Sequence, residues 1–310
     1  MSYNTPVLFL VFNRPEQTAI VFAEIRKQKP TQLYIAADGP RAGNETDKLR
    51  CAEVREIVKL IDWECTVELR FNEHNVGTKY AVSTAINWFF EHVESGIILE
   101  DDCLPNESFF EFSAEMLERY QSNAKVMMIN GCSFQPKPLD TNDYYFSKYV
   151  HVWGWATWRR AWDLYHIELT GISSEQFEHV VSSTFSQKRE RQRWIQNFHL
   201  IQNGFDTWDY QWMFWIWKNK GLSITPWHNL ISNIGFGKDA THTLDENSGQ
   251  SKMAQHHLKI SSHPHSVFEH KKADALERYQ IIISPSREFR WQQIKGIIRR
   301  LIRNGNGAKA

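Results

Sequence analysis

Three consecutive carboxylates, Glu100, Asp101 and Asp102, follow the apolar run Ile97-Ile98-Leu99. Charges at this density cannot sit in a core uncompensated, so they must face water, a cation or a ligand. Hard divalent cations such as Mg2+ or Mn2+ take oxygen ligands and keep water and substrate phosphates in their shell. A glycosidic acid/base pair needs carboxyls ~5–9 Å apart across a bond, which neighbours on one strand end supply poorly. A solvated acidic turn needs no ligand at all. Other reactive types lie far away in the chain. Arg14 precedes Pro15 at a helix start, where a guanidinium and a helix N-terminus both favour anions; an exposed arginine is the plain alternative. Asp38, in Asp38-Gly39-Pro40, offers a carboxylate to a base or ribose, or to its own turn. Asp209 stands among rings in Trp208-Asp209-Tyr210-Gln211-Trp212, where burial would suit it to accept a proton, and where a helix cap or paired core acid fits equally. His242, between Thr241 and Thr243 after a glycine-rich turn, suits a metal or a phosphate. His256, His257, His263 and His265 have no ligand spacing and are assigned to the surface.

The elements that carry these residues alternate in type. Apolar runs at Val7–Phe12, Leu33–Ala37, Thr66–Phe71, Ile97–Glu100 and Val126–Ile129 read as strands. Helical spacing follows Pro15 up to Pro30, near Lys48 to Ile61, from Thr78 to about His92, and after Pro105-Asn106 with Phe109, Phe110, Phe112, Met116, Leu117 and Tyr120 on one face. Strands alternating with helices predict a mostly parallel sheet with right-handed crossovers. In such a sheet the strand ends share one edge, so Arg14, Asp38 and the three acids are expected in one crevice. Beyond about residue 135 the rhythm changes. A Trp-dense stretch spans Val152 to Trp158, helices are read at Arg159–Tyr165, Ser173–Gln202 and Thr207–Lys220, and Asp245 to Ser262 reads as loop.

The 310 residues allow one large domain or two small ones. Lysine plus arginine equals aspartate plus glutamate at 36 each, so the total carries no nucleic-acid footprint. Tryptophan is abundant, with 13 residues, and serves either a large core or a surface for stacking sugar rings. Cys51, Cys65, Cys103 and Cys132 lack zinc-ligand spacing and fit reduced thiols of the cytosol. No signal peptide and no run of ~18 apolar residues is read. Gln292 to Arg303 forms a basic amphipathic pattern that suits an anionic membrane surface or docking on its own domain.

The segment from Asn75 to Tyr120 resembles the donor-site region of nucleotide-sugar glycosyltransferases of the GT-A fold. It is most similar to inverting N-acetylglucosaminyltransferases with a Glu-Asp-Asp version of the D-x-D motif. The likeness rests on Asn75, Gly77, the helix Thr78–Phe90, Ile98 to Pro105 and Phe109-Phe110, with Phe12 to Glu16 and Ala37 to Gly39 in support. Trp208-Asp209-Tyr210-Gln211-Trp212 resembles that family's acceptor-side acid motif. Coverage is good over residues 5–130, thin over 135–245 and absent beyond.

The resemblance implies a GT-A (Rossmann-like) α/β fold with a donor half at 1–135, a Trp-rich acceptor-side half at 136–245, and a C-terminal loop and basic helix at 246–310. It implies that Asp102, with His242, binds Mn2+ or Mg2+, that Glu100 and Asp101 contact sugar and ribose, that Arg14 holds the diphosphate, that Asp38 meets the base, and that Asp209 is the general base. The expected activity is metal-dependent, inverting sugar transfer from a nucleotide-diphosphate donor, a UDP-sugar in the first instance. The acceptor would be a glycan or lipid-linked hydroxyl in cell-surface polysaccharide synthesis, with the Trp-rich half as its wall. The expected location is the cytoplasm, with peripheral contact at the inner membrane face. A carbohydrate-binding protein without turnover and a sugar-phosphate nucleotidyltransferase are the alternatives.

Overall fold

A computed structural model describes residues 3–169, 171–236 and 253–280. His242 and the basic segment 292–303 lie outside the described residues. In chain order the elements are β1 (Val7–Val11), α1 (Pro15–Gln28), β2 (Gln32–Ala37), α2 (Glu45–Arg55), β3 (Thr66–Phe71), α3 (Gly77–His92), β4 (Ser95–Glu100), β5 (Cys103–Pro105), α4 (Glu107–Arg119), β6 (Val126–Asn130) and β7 (Tyr144–Ser147). There follow β8 (Trp155–Trp158), α5 (Arg159–Trp162), α6 (Ser174–Thr184), α7 (Lys188–Gln202), α8 (Asp209–Lys218), β9 (Leu222–Pro226), β10 (Ile231–Asn233) and α9 (Lys271–Arg278). A 3-10 turn, Glu56–Leu60, extends α2.

Eight strands form one mixed sheet in the order β3-β2-β1-β4-β8-β6-β9-β7. β3, β2, β1 and β4 are mutually parallel, β6 and β9 are parallel to each other, and β8 and β7 run against their neighbours. The fold is thus α/β, with a large, mainly parallel central sheet flanked by helices. The five strands expected from apolar runs are all present. β1 shows why: Val7, Phe9 and Val11 enter the core beneath α1, α2 and α4, while Leu8 and Leu10 enter the core beneath α3 and α6–α8. A strand buried on both faces needs apolar residues at every position. Two helical expectations are modified. Ser173–Gln202 is two helices, broken at Phe185–Gln187, and α6 opens with a full capping box between Ser173 and Gln176. The helix after Trp158 stops at Trp162.

The Trp-dense segment holds a strand that no apolar run announces. β8 lies between β4 and β6 and joins the two parallel groups, pairing Ile98 with Trp155 and Asn130 with Trp155. Most of the tryptophan is core. Trp155, Trp162, Trp208 and Trp212 pack on one another, with Trp155 and Trp212 fully buried. Next to this band, buried Asn130 donates to Ser223 Oγ (3.1 Å) and Thr225 Oγ1 (2.8 Å) and accepts from the His151 N–H (3.1 Å). The hydroxyls of β9 are therefore satisfied inside the sheet. No helix among the described residues is long and apolar enough to cross a membrane.

Candidate active site

The loops that leave β1, β2, β3 and β4 meet at one edge of the sheet, as parallel strands require. β8 runs the other way, so its start, with Trp153 just before it, comes to the same edge. The loop before α8 closes the far side. Together they enclose a cavity of about 540 Å³ lined by Arg14, Asp38, Glu100, Asp101, Asp102 and Asp209, among others. Six sequence-predicted residues, drawn from both halves of the chain, therefore share one cavity.

The acids are held from two sides. Arg14 Nη1 donates to Asp102 Oδ2 (2.7 Å) and Asp101 Oδ1 (3.4 Å), and the Phe12 N–H donates to Asp101 Oδ2 (3.3 Å). From the other side β10 pairs with β5 as a two-stranded ribbon, and the Ile234 N–H reaches the Asp102 carbonyl (2.8 Å). Gly235 is needed here, because a Cβ on it would lie 2.1 Å from Asp102 Oδ2. Burial and the neighbouring Asp102, Asp101 and Asp209 push the Glu100 carboxyl well above its ordinary value. Burial and Asp102 push Asp101 up to about 7, against the pull of Arg14. Burial opposes the charge on Arg14, yet Asp101 and Asp102 raise its pKa on balance.

The donor set is entirely oxygen, which suits a hard cation. Among the described residues no three His, Cys, Asp or Glu groups gather as a cation site. A cation held through one or two carboxylates and completed by substrate phosphates and water needs no such gathering. Glu100 and Asp102, both on the cavity wall, fit that kind of binding.

Asp38 also lines the cavity, but its carboxylate is already taken up by the protein. It accepts from the Gly39 N–H (2.9 Å), Asn72 Nδ2 (3.0 Å), Asn75 Nδ2 (2.8 Å) and the Val76 N–H (3.2 Å). Asp38 thus ties the turn after β2 to the loop after β3. The two approach so closely that a Cβ on Gly39 would fall 2.4 Å from the His74 backbone. A second brace, absent from the sequence reading, is Asp47 in the first turn of α2. It accepts from Asn13 Nδ2 (2.7 Å) and from Arg41 through Nη2 (2.8 Å) and Nε, joining the loops after β1 and β2. The Arg41 hydrogen bond outweighs burial and, with Asn13, lowers Asp47 to about 2.

Asp209 is the first residue of α8. Its Oδ1 accepts from the Thr207 hydroxyl and from the Tyr210 N–H (2.9 Å), which orients the carboxylate. Asp206, three residues earlier, caps α3 from across the cavity, accepting from the Thr78 N–H (3.0 Å) and the Lys79 N–H (2.8 Å). The α8 entry loop is therefore pinned to the start of α3. Thr207 carries a local signal, a hydroxyl two residues before an acid. Asp206 carries none, since its partners lie 128 and 127 residues away. Asp209 and Tyr210 also line a second cavity of about 290 Å³ behind α8.

No protein-family model matches the sequence, and comparison with curated proteins returns no match. Among solved structures, the chain is similar to the mannosyltransferase PcManGT from Pyrobaculum calidifontis in complex with GDP-Man and Mn2+, with 13% identity over 70% of each chain and a TM-score of 0.37. It is similar to the inositol-1-phosphate CTP transferase from T. maritima, with 10% identity over 79% of this chain and 94% of that one and a TM-score of 0.42. It is also similar to S. aureus TarS 1-349, with 13% identity over 58% of this chain and 55% of that one and a TM-score of 0.36.

Proposed function

We propose that this chain is a metal-dependent glycosyltransferase that inverts the anomeric centre of a nucleotide-diphosphate sugar, with a UDP-sugar as its donor. The observation that carries the reading is the convergence of Arg14, Glu100–Asp102 and Asp209 on one cavity, with Asp209 also on the wall of the adjoining one. Arg14 would meet the diphosphate beside the acids. Mn2+ or Mg2+, held by Asp102 with Glu100 nearby, would neutralise charge on the departing phosphate. Asp209 takes the proton of an acceptor hydroxyl, whose oxygen bonds to the anomeric carbon as the bond to the β-phosphate oxygen breaks. One displacement from the face opposite the leaving group inverts that carbon. Asp101, engaged by Arg14 and the Phe12 N–H, also lines the cavity and adds its charge beside Asp102.

The test is a panel of nucleotide sugars with Mn2+, followed for release of nucleoside diphosphate with and without glycan acceptors. Wild type should release nucleoside diphosphate slowly alone and faster with an acceptor. Asp102→Ala should lose metal-dependent donor binding. Asp209→Ala should bind donor near normally and lose at least about 100-fold in transfer. Release of pyrophosphate from a nucleoside triphosphate plus sugar phosphate would instead establish nucleotidyl transfer, and an Asp209→Ala variant as fast as wild type would remove the base.

A further inference from the structure

The second cavity, about 290 Å³, lies between the segment Cys132–Trp153 and helices α7 and α8. Trp153, Tyr210, Trp217 and Phe134 give it aromatic walls. Arg193, Trp194 and Asn197 of α7 line it. Asn197 is only 7% exposed, yet its amide makes no hydrogen bond among the described residues. The Trp194 Nε1–H is buried and donates to nothing among them. Arg193 lines the cavity and forms no ion pair with any described carboxylate. The Asn197 amide is therefore open to the cavity and available to a ligand.

We propose that this cavity is the acceptor subsite and that it selects a pyranose bearing a negative charge, a carboxylate or a phosphate. The inference rests on the transferase reading for the word acceptor, but its binding chemistry stands on the cavity itself. Aromatic faces cover the apolar face of a pyranose ring. The Asn197 amide answers a ring hydroxyl. Arg193, a planar donor that is always charged, answers an anionic substituent at the rim. Because Asp209 and Tyr210 line both cavities, a sugar seated here presents one hydroxyl to the carboxylate and, beyond it, to the donor. Burial raises the Tyr210 phenol above its ordinary value, so it stays neutral as a wall.

The experiment titrates the full chain with oligosaccharides of equal length ending in glucuronic acid, in glucose 6-phosphate or in glucose, read by intrinsic tryptophan fluorescence. The acidic ends should bind at least about tenfold tighter than the glucose end. Arg193→Gln should remove that preference, and Asn197→Leu should weaken all three ligands while the thermal midpoint stays near wild type. The tighter of the two acidic ends identifies the anion. Equal binding of all three ends, a preference that survives Arg193→Gln, or no binding at all overturns the proposal. Donor cleavage by wild type is measured separately. A chain that selects acidic ends but cleaves no nucleotide sugar keeps the subsite and loses the transferase reading. A chain that cleaves donor without selecting acidic ends loses the subsite alone.

Discussion

Replacing Asp47 by alanine removes the brace between the loops after β1 and β2 without touching the cavity acids. The magnitude follows from its partners. A carboxyl lowered from 3.8 to about 2 corresponds to about 2 kcal/mol of stability at neutral pH. The Arg41 side chain is 58% exposed, and screening by water reduces that share to about 1 kcal/mol. The hydrogen bond from Asn13 Nδ2 is one of the causes of that lowering and is already counted in it. Asp47→Ala should therefore lose about 1 kcal/mol at pH 7. The sign with pH is determined by the depressed value. The ionic share is fully present above the unfolded value of 3.8 and is lost as pH falls toward about 2. Urea midpoints of wild type and variant, compared from pH 7 down to pH 3, read this directly. The gap between them should hold between pH 7 and pH 5 and narrow below about pH 4. A gap that is absent at pH 7, or that widens as pH falls, refutes the reasoning.

Two further outcomes test the site. Thr207→Val removes the hydroxyl that orients Asp209; kcat should fall about tenfold with donor KM little changed, and an unaltered kcat would show that the Tyr210 N–H suffices. Asp101, pushed up to about 7, holds a proton below that pH in the ion-free chain. Mn2+ affinity should therefore weaken as pH drops below about 7, with proton release visible by calorimetry in buffers of different ionisation heat. Affinity independent of pH between 5.5 and 7.5 would count against it.

The parallel half of the sheet was legible because its inner strands carry continuous apolar runs, as Val7–Val11 shows. Its strand-end residues were legible for the same reason, since topology alone brings Arg14, Asp38 and Glu100 to one edge. β9 was not, because Ser223 and Thr225 interrupt its apolar run, and their interior partners, the Asn130 amide and the Tyr149 carbonyl, lie far away in the chain. Of the two readings of the tryptophan, core or stacking surface, Trp155, Trp162, Trp208 and Trp212 follow the first and cluster together in the core. The second cavity has Trp153, Trp194 and Trp217 on its wall. Composition cannot separate these roles, because ring stacking serves a core and a sugar equally. Asp206 and Asp47 were invisible as functional residues, since each acts through partners on other elements.

β8 also sets a constraint on how the chain can be made. On the ribosome, β1 to β4 are complete once Glu100 has emerged, but the outer edge of β4 waits for Trp155–Trp158. At roughly 5–20 residues per second that interval lasts about 3–12 s. Throughout it, Ser95–Ile98 presents unpaired backbone groups beside fully buried-type side chains, the kind of edge that recruits another nascent strand. A fragment ending before Trp155 would keep Arg14, Asp38 and Glu100–Asp102 but leave that edge open for good. Those residues should therefore be recoverable only from a chain that runs past Trp158, and holdase chaperones should raise the yield of the whole chain by covering β4 until β8 arrives.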